Sequence, residues 1–323
     1  MSARIDAQVF DQGRVSQAVL DFNAALVSGM ASVGWAFPPP SAAALRDALA
    51  AGGPAPYVSP AARTITVPAG THEIPVRIIG APVSATVPAT GPTAVFVHVH
   101  GGGWTIGSAA GQDAALERIA ASTGMTVASV DYRLAPEHPY PAGLDDCERV
   151  TRWLIEHAAA EFGTGRLLIG GESAGANLAL CTALRVVRDQ PDALRGAALY
   201  YGNYDVTMTP SQRQAESGFL ITTGSLAWFY DQYVPEASRR DDPDISPLYA
   251  DLRGLPPVVL AVGTHDSLVD DTMFLASRLL AAGVDTELVV VPGGEHAFDM
   301  APVPECQEAV AAVDAFLAKH AAG

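Results

Sequence analysis

Residues 167–175, Leu167-Leu168-Ile169-Gly170-Gly171-Glu172-Ser173-Ala174-Gly175, pass from a short apolar run into Gly-x-Ser-x-Gly, and residues 176–187 continue without glycine or proline. The apolar run predicts a buried strand and the uninterrupted segment a helix. Ser173 would then stand on a tight strand-to-helix turn, which the flanking glycines permit because they carry no Cβ atom. A helix starting there turns its unpaired N–H groups toward the serine. Gly170 and Gly175 also have the spacing of a phosphate-binding loop. Ala176 stands where such a loop needs lysine, so that reading fails.

Outward from this turn, short apolar runs alternate with helical stretches from about residue 62 onward. Strands are predicted at 63–67, 73–79, 93–98, 126–131, 166–169, 197–201, 257–262 and 287–291, and helices at 113–122, 144–162, 174–188, 269–282 and 304–321. The middle strands are apolar throughout, as in a parallel sheet covered on both faces, and the alternation predicts a doubly wound α/β domain. Two segments break it. Residues 1–50 predict an amphipathic helix over about 6–30, then Pro38-Pro39-Pro40, then a second short helix. Residues 203–245 gather Phe219, Leu220, Trp228, Phe229, Tyr230 and Tyr233, too apolar a set for a solvated loop. They either pack on the body or roof a pocket, and the two are compatible.

Composition narrows the class. The chain has 323 residues, 49% of them hydrophobic, and a mean hydropathy of +0.20, enough to bury a substantial core. No apolar run reaches the roughly 18 residues of a membrane helix. The first residues carry Arg4, Asp6 and Asp11 and no apolar stretch of a secretory signal. Cys147, Cys181 and Cys306 are odd in number and widely spaced, and read as buried reduced thiols of a cytoplasmic protein. A net charge of −16 opposes binding to nucleic acid or an anionic membrane. A homodimer is compatible with all of this.

A serine nucleophile needs a base, the base an orienting acid, and the oxyanion aimed N–H donors. On a serine turn of this kind the three side chains follow in the order serine, acid, histidine. Of eight histidines, only His296 and His320 follow the strand at 257–262 and the loop after it. His320 lies near the end of the sequence, where fraying is expected. His296 sits in Pro292-Gly293-Gly294-Glu295-His296-Ala297-Phe298, where a solvent-reaching imidazole belongs. The acid comes from Gly263-Thr264-His265-Asp266-Ser267-Leu268-Val269-Asp270-Asp271. Asp266 is nearest the strand end, whereas Asp270 and Asp271 suit the first turn of the next helix; His265 reads as an exposed loop residue.

His100-Gly101-Gly102-Gly103-Trp104 follows the strand at 93–98, and its bare backbone offers N–H donors from Gly101, Gly102 and Gly103. The Ala174 N–H completes the hole. His98 and His100 share a strand face, but no third ligand with zinc-like spacing accompanies them, so no metal or other cofactor is expected. His100 reads instead as a buried support of the glycine loop. Trp104, Phe219 and Trp228 are candidate substrate contacts.

Four ordered motifs, His100-Gly101-Gly102-Gly103-Trp104, Asp131-Tyr132-Arg133-Leu134-Ala135-Pro136-Glu137, Gly171-Glu172-Ser173-Ala174-Gly175 and Ser246-Pro247-Leu248, make residues 60–320 resemble the hormone-sensitive-lipase-like family of α/β-hydrolases. The resemblance implies an α/β-hydrolase fold with a mostly parallel eight-stranded sheet, helices on both faces and a helical cap. It divides the chain into cap helices (1–50), core (51–202), cap insertion (203–245) and core again (246–323). It implies Ser173, Asp266 and His296 as catalytic residues, an oxyanion hole from Gly102, Gly103 and Ala174 with Gly101 retained, and hydrolysis of small-molecule, short- to medium-chain carboxylic esters. Asp131 and Arg133 are expected to pair beneath the site. The sequence departs from the family at Glu172 (usually Asp), at His265 and Ser267 (usually an acidic residue and Pro), and at Ala297 (usually Gly). Hydrolysis of amides or acetylated sugars, and ligand binding on a hydrolase scaffold, are the alternatives.

Overall fold

The computed structural model describes residues 7–53, 55–80 and 92–322. Among them, eight strands, β1 (Arg63–Pro68), β2 (Glu73–Ile79), β3 (Val95–Val99), β4 (Thr126–Val130), β5 (Leu167–Glu172), β6 (Ala197–Tyr200), β7 (Val258–Gly263) and β8 (Thr286–Val291), form one sheet in the order β1-β2-β4-β3-β5-β6-β7-β8. β2 pairs antiparallel with β1 and β4, and every other neighbouring pair is parallel. All eight predicted strands are present, displaced at their ends by at most three residues.

The apolar runs explain the two covered faces. Successive side chains of a strand point to opposite sides. Val95, Val97 and Val99 join one core with Ile169, Leu199 and Leu260, while Phe96 joins the other with Leu168, Ala198 and Val259. Helices α4 (Ala142–Phe162), α5 (Ala174–Asp189) and α8 (Val269–Ala281) cover the first face, through residues such as Leu154, Leu178 and Leu275. Helices α3 (Asp113–Thr123) and α9 (Pro304–Ala322) cover the second, through Leu116, Ile119, Val313 and Phe316.

The two segments outside the alternation meet each other. Helices α1 (Gln17–Ser32) and α2 (Ala42–Gly52) precede the sheet, and α6 (Pro210–Gln214) and α7 (Thr223–Tyr233) lie between β6 and β7. The Trp35 indole N–H donates to the Leu220 carbonyl at 2.8 Å, and Phe37 packs on Trp228 and Phe229 with ring centroids 5.6 and 5.2 Å apart. Asp271, buried at the start of α8, accepts the N–H groups of Tyr204 and Asp205, the Thr209 hydroxyl and the Gln212 amide. Burial, only partly opposed by these bonds, pushes its carboxyl up to about 7. One carboxylate thus anchors the 203–212 stretch to the body.

Two expectations are corrected. The helix expected over 6–30 begins only at Gln17, with Ser16 capping the Val19 N–H; residue 6 lies outside the described residues. The preceding chain makes two short 3₁₀ turns because the Asp11 carboxylate accepts the Gly13 N–H at 2.9 Å, a local bond that competes with helix. Asp131 and Arg133 do not pair with each other. Asp131 accepts the Ala109 N–H at 2.9 Å, and the Arg133 guanidinium makes a two-pronged contact with buried Asp146 at 2.8 Å. Each is satisfied by a different segment, Asp131 by the loop at 109 and Arg133 by Asp146 on α4.

Candidate active site

Ser173 follows β5 directly, with φ 57° and ψ −125°. For a residue with a Cβ this is strained backbone, which the surroundings hold in place. The Ser173 N–H donates to the Tyr200 carbonyl at 2.9 Å, and its own carbonyl accepts from Ala176 and Asn177 as α5 begins. The turn is possible only between glycines. A Cβ at Gly171 would come within 2.1 Å of the Val99 carbonyl oxygen, and one at Gly175 within 2.0 Å of the same atom.

The loops after β7 and β8 deliver the other two side chains. They are bound together: His265 N–H donates to the Gly294 carbonyl at 3.0 Å, and Gly293 N–H to the Thr264 hydroxyl at 2.7 Å. His296 Nε2 lies 3.0 Å from Ser173 Oγ, and its Nδ1 lies 2.9 Å from Asp266 Oδ2. The other Asp266 oxygen accepts the Leu268 N–H at 2.8 Å, fixing the carboxylate against rotation. Burial pulls the His296 pKa down, but the charge and hydrogen bond of Asp266 outweigh it and hold the imidazole above its ordinary value. Asp270 and Asp271 take no part: Asp270 accepts the Ser211 N–H, and Asp271 serves the anchor above.

The glycine loop shows which of its N–H groups are free. Gly101 N–H donates to Glu172 Oε1 at 2.8 Å and is not available to an oxyanion, so its retention in the hole is corrected. The N–H groups of Gly102, Gly103 and Ala174 meet no acceptor among the described residues. The second Glu172 oxygen accepts from His98 Nε2 at 2.9 Å, and His98 Nδ1 lies 2.9 Å from the Ser129 hydroxyl. The glutamate in place of the family's aspartate therefore ties the glycine loop to β3. His100 is fully buried, stacks on Tyr132 and bonds the Gly101 carbonyl through Nδ1 at 2.8 Å. Burial lowers its pKa, so it is a neutral support of the loop. Among the described residues no group of three His, Cys, Asp or Glu side chains is placed to hold a metal ion.

A cavity of about 940 Å³ opens over Ser173 and His296. Of the expected substrate contacts, Trp104 lines it, stacked at 4.4 Å on Tyr233. Phe219 and Trp228 do not. Phe219 stacks on His265 at 4.3 Å outside the cavity, and Trp228 packs on Phe37 and Phe229. The neighbouring Leu220, Ile221, Leu226 and Phe229 face it instead, joined by Met30, Trp35 and Leu49 from the N-terminal segment. Helical spacing distinguishes Phe229 from Trp228, but the face that turns inward depends on how α7 docks. Ala297, next to the histidine, adopts φ 67°, a conformation costlier for alanine than for the glycine usual there.

The α/β hydrolase fold family matches residues 96–300 of the chain. The carboxylic ester hydrolase LipN of Mycobacterium tuberculosis is 35% identical over 76% of this chain, which spans 66% of LipN's length. Carboxylesterase NlhH of the same organism is 36% identical over 71% of this chain and 72% of its own. The crystal structure of a thermostable esterase from Pseudomonas putida superposes with a TM-score of 0.81 at 28% identity, covering 95% of this chain and 97% of that one.

Proposed function

Since this chain belongs to the α/β-hydrolase fold family, in its hormone-sensitive-lipase-like carboxylesterase branch, we propose that it hydrolyses carboxylic esters by a two-step acyl-enzyme route on Ser173. The observation that carries this is the unbroken chain from Ser173 Oγ through His296 to Asp266, at 3.0 and 2.9 Å. His296 Nε2 takes the serine proton as Oγ attacks the ester carbonyl. The oxygen, now negative, settles on the N–H groups of Gly102, Gly103 and Ala174. The imidazolium then protonates the departing alcohol, and neutral His296 next draws a proton from water, which releases the acid and restores the serine. Asp266 keeps Nδ1–H in place and offsets the imidazolium charge.

Residues 1–50 and 203–245 act together as a cap, a reading supported by the Trp35–Leu220 bond and by the residues each contributes to the cavity wall. A cavity bounded in this way favours short- to medium-chain acyl esters over long ones. The test compares turnover of p-nitrophenyl acetate and butyrate by wild type and Ser173→Ala. Wild type should turn over both and the variant should retain only traces; equal rates would end the proposal.

A further inference from the structure

The cavity reaches past Ser173 on two sides, and the two sides differ in chemistry. Beneath α1, α2 and α7 its wall is Met30, Leu49, Leu220, Ile221, Leu226 and Phe229, with Arg46 of α2 the charged exception, its guanidinium already held by Glu137 and the Thr105 and Ala135 carbonyls. Between α3 and α9 its wall carries His98, Arg118, Glu172, Tyr200, Asp299 and Asp314. An ester likewise has two arms that diverge from its carbonyl. One arm suits the apolar side, and the polar side is built for something else.

Tyr200 is the centre of that polar side. It ends β6 opposite Glu172, and its carbonyl holds the Ser173 N–H, so its ring starts next to the reacting serine. Its hydroxyl is buried with no hydrogen-bond partner among the described residues. The charges it feels are Asp314, Arg118, Asp299 and Glu172. These groups are already partly engaged. Arg118 Nη1 donates to Asp314 Oδ2 at 2.5 Å and ties α3 to α9. Asp314 also faces the Ser122 hydroxyl. Asp299 accepts the Tyr201 hydroxyl, and Glu172 uses one oxygen on Gly101 and the other on His98. The Tyr200 O–H is left as a donor in need of an acceptor, among carboxylates able to accept a further proton donor.

The chemistry of the missing group follows from this balance. One guanidinium stands against three carboxylates, so a carboxylate-bearing arm would be repelled. An ammonium has no lone pair to offer Tyr200. A hydroxyl both accepts and donates. We propose that one arm of the substrate ester carries a neutral hydroxyl group, which accepts from Tyr200 and donates to Asp299 or Asp314.

This rests on ester hydrolysis at Ser173, and the experiment keeps the two apart. Values of kcat/KM are measured with the full chain for two matched pairs. These are p-nitrophenyl hexanoate against 6-hydroxyhexanoate for the acyl arm, and butyl butyrate against 4-hydroxybutyl butyrate for the alcohol arm. Wild type should prefer the hydroxylated member of one pair by about three- to tenfold, the worth of one net hydrogen bond. Tyr200→Phe removes a single oxygen and should bring that preference close to one, and Asp314→Asn should reduce it. No preference in either pair, or one that survives Tyr200→Phe unchanged, overturns the inference. So does faster turnover of the 6-aminohexanoate ester. If wild type but not Ser173→Ala cleaves the plain esters in those cases, only this inference has failed; equal cleavage by both removes the reading beneath it.

Discussion

Glu295, the residue before His296, offers the most quantitative prediction. Its side chain is fully buried, one oxygen accepting the His296 N–H at 2.9 Å and the Leu220 N–H also held by its carboxyl. The other oxygen is 3.8 Å from His265 Nε2. Burial and then the neighbouring Asp266 charge push its carboxyl up to about 8, against a reference of 4.5. The folded protein therefore keeps a proton that the unfolded chain releases near pH 4.5. Stability linked to this group is complete below that pH and is lost as pH rises through about 8. At about 1.4 kcal/mol per pH unit, the loss between pH 5 and pH 8 is on the order of 3 kcal/mol. Glu295→Gln keeps an acceptor oxygen and has nothing to titrate, so its stability should rise relative to wild type by that amount over the same range. Buried groups that Glu295 does not influence, such as Asp271, titrate equally in both proteins and cancel. The assay is reversible chemical denaturation of both proteins at pH 5, 6, 7 and 8. A difference that stays constant with pH would refute the reasoning.

Two further outcomes concern the proposed chemistry. The acid limb of kcat/KM should have its midpoint above the ordinary histidine value, because Asp266 raises His296. Asp266→Asn should move that limb to lower pH and slow turnover by about 10³–10⁴-fold; an unmoved limb would exclude His296 as the base. In Gly103→Ala the new Cβ would lie 2.4 Å from Phe229 Cδ1 at a residue with φ 55°. The loop must shift, and a loss of about 10²–10³-fold in kcat is expected with the circular dichroism spectrum unchanged. Near wild-type turnover would show that this N–H is not a donor to the transition state.

Much of the fold was legible because each buried strand is an apolar run bounded by helices of clear period. Ser173, Asp266 and His296 could be chosen from chain order and loop position alone, and the structure brings their side chains into hydrogen-bonding reach. Contacts between distant segments were not legible. Arg133 and Asp131 looked like partners by proximity in sequence, yet Arg133 reaches Asp146 on α4. Phe219 and Trp228 looked like pocket residues by composition, yet the docking of α7 turns Phe229 inward instead.

The sequence by itself determined the strands, the serine turn and the positions of Ser173, Asp266 and His296 in the loops that follow them, since these depend on local periodicity and on glycines that leave room for close backbone approach. Tertiary structure alone decided which N–H groups are free. Gly101, Gly102 and Gly103 are identical as letters, but a carboxylate 71 residues further along the chain occupies only the first. It also decided that Tyr200 meets the carboxylates of Glu172, Asp299 and Asp314 in one wall of the cavity, because β5, β6, α9 and the turn at Phe298–Met300 bring them together only once the sheet is covered. Hydrogen bonding and burial are properties of atoms brought together in space, and no local pattern of residues encodes them.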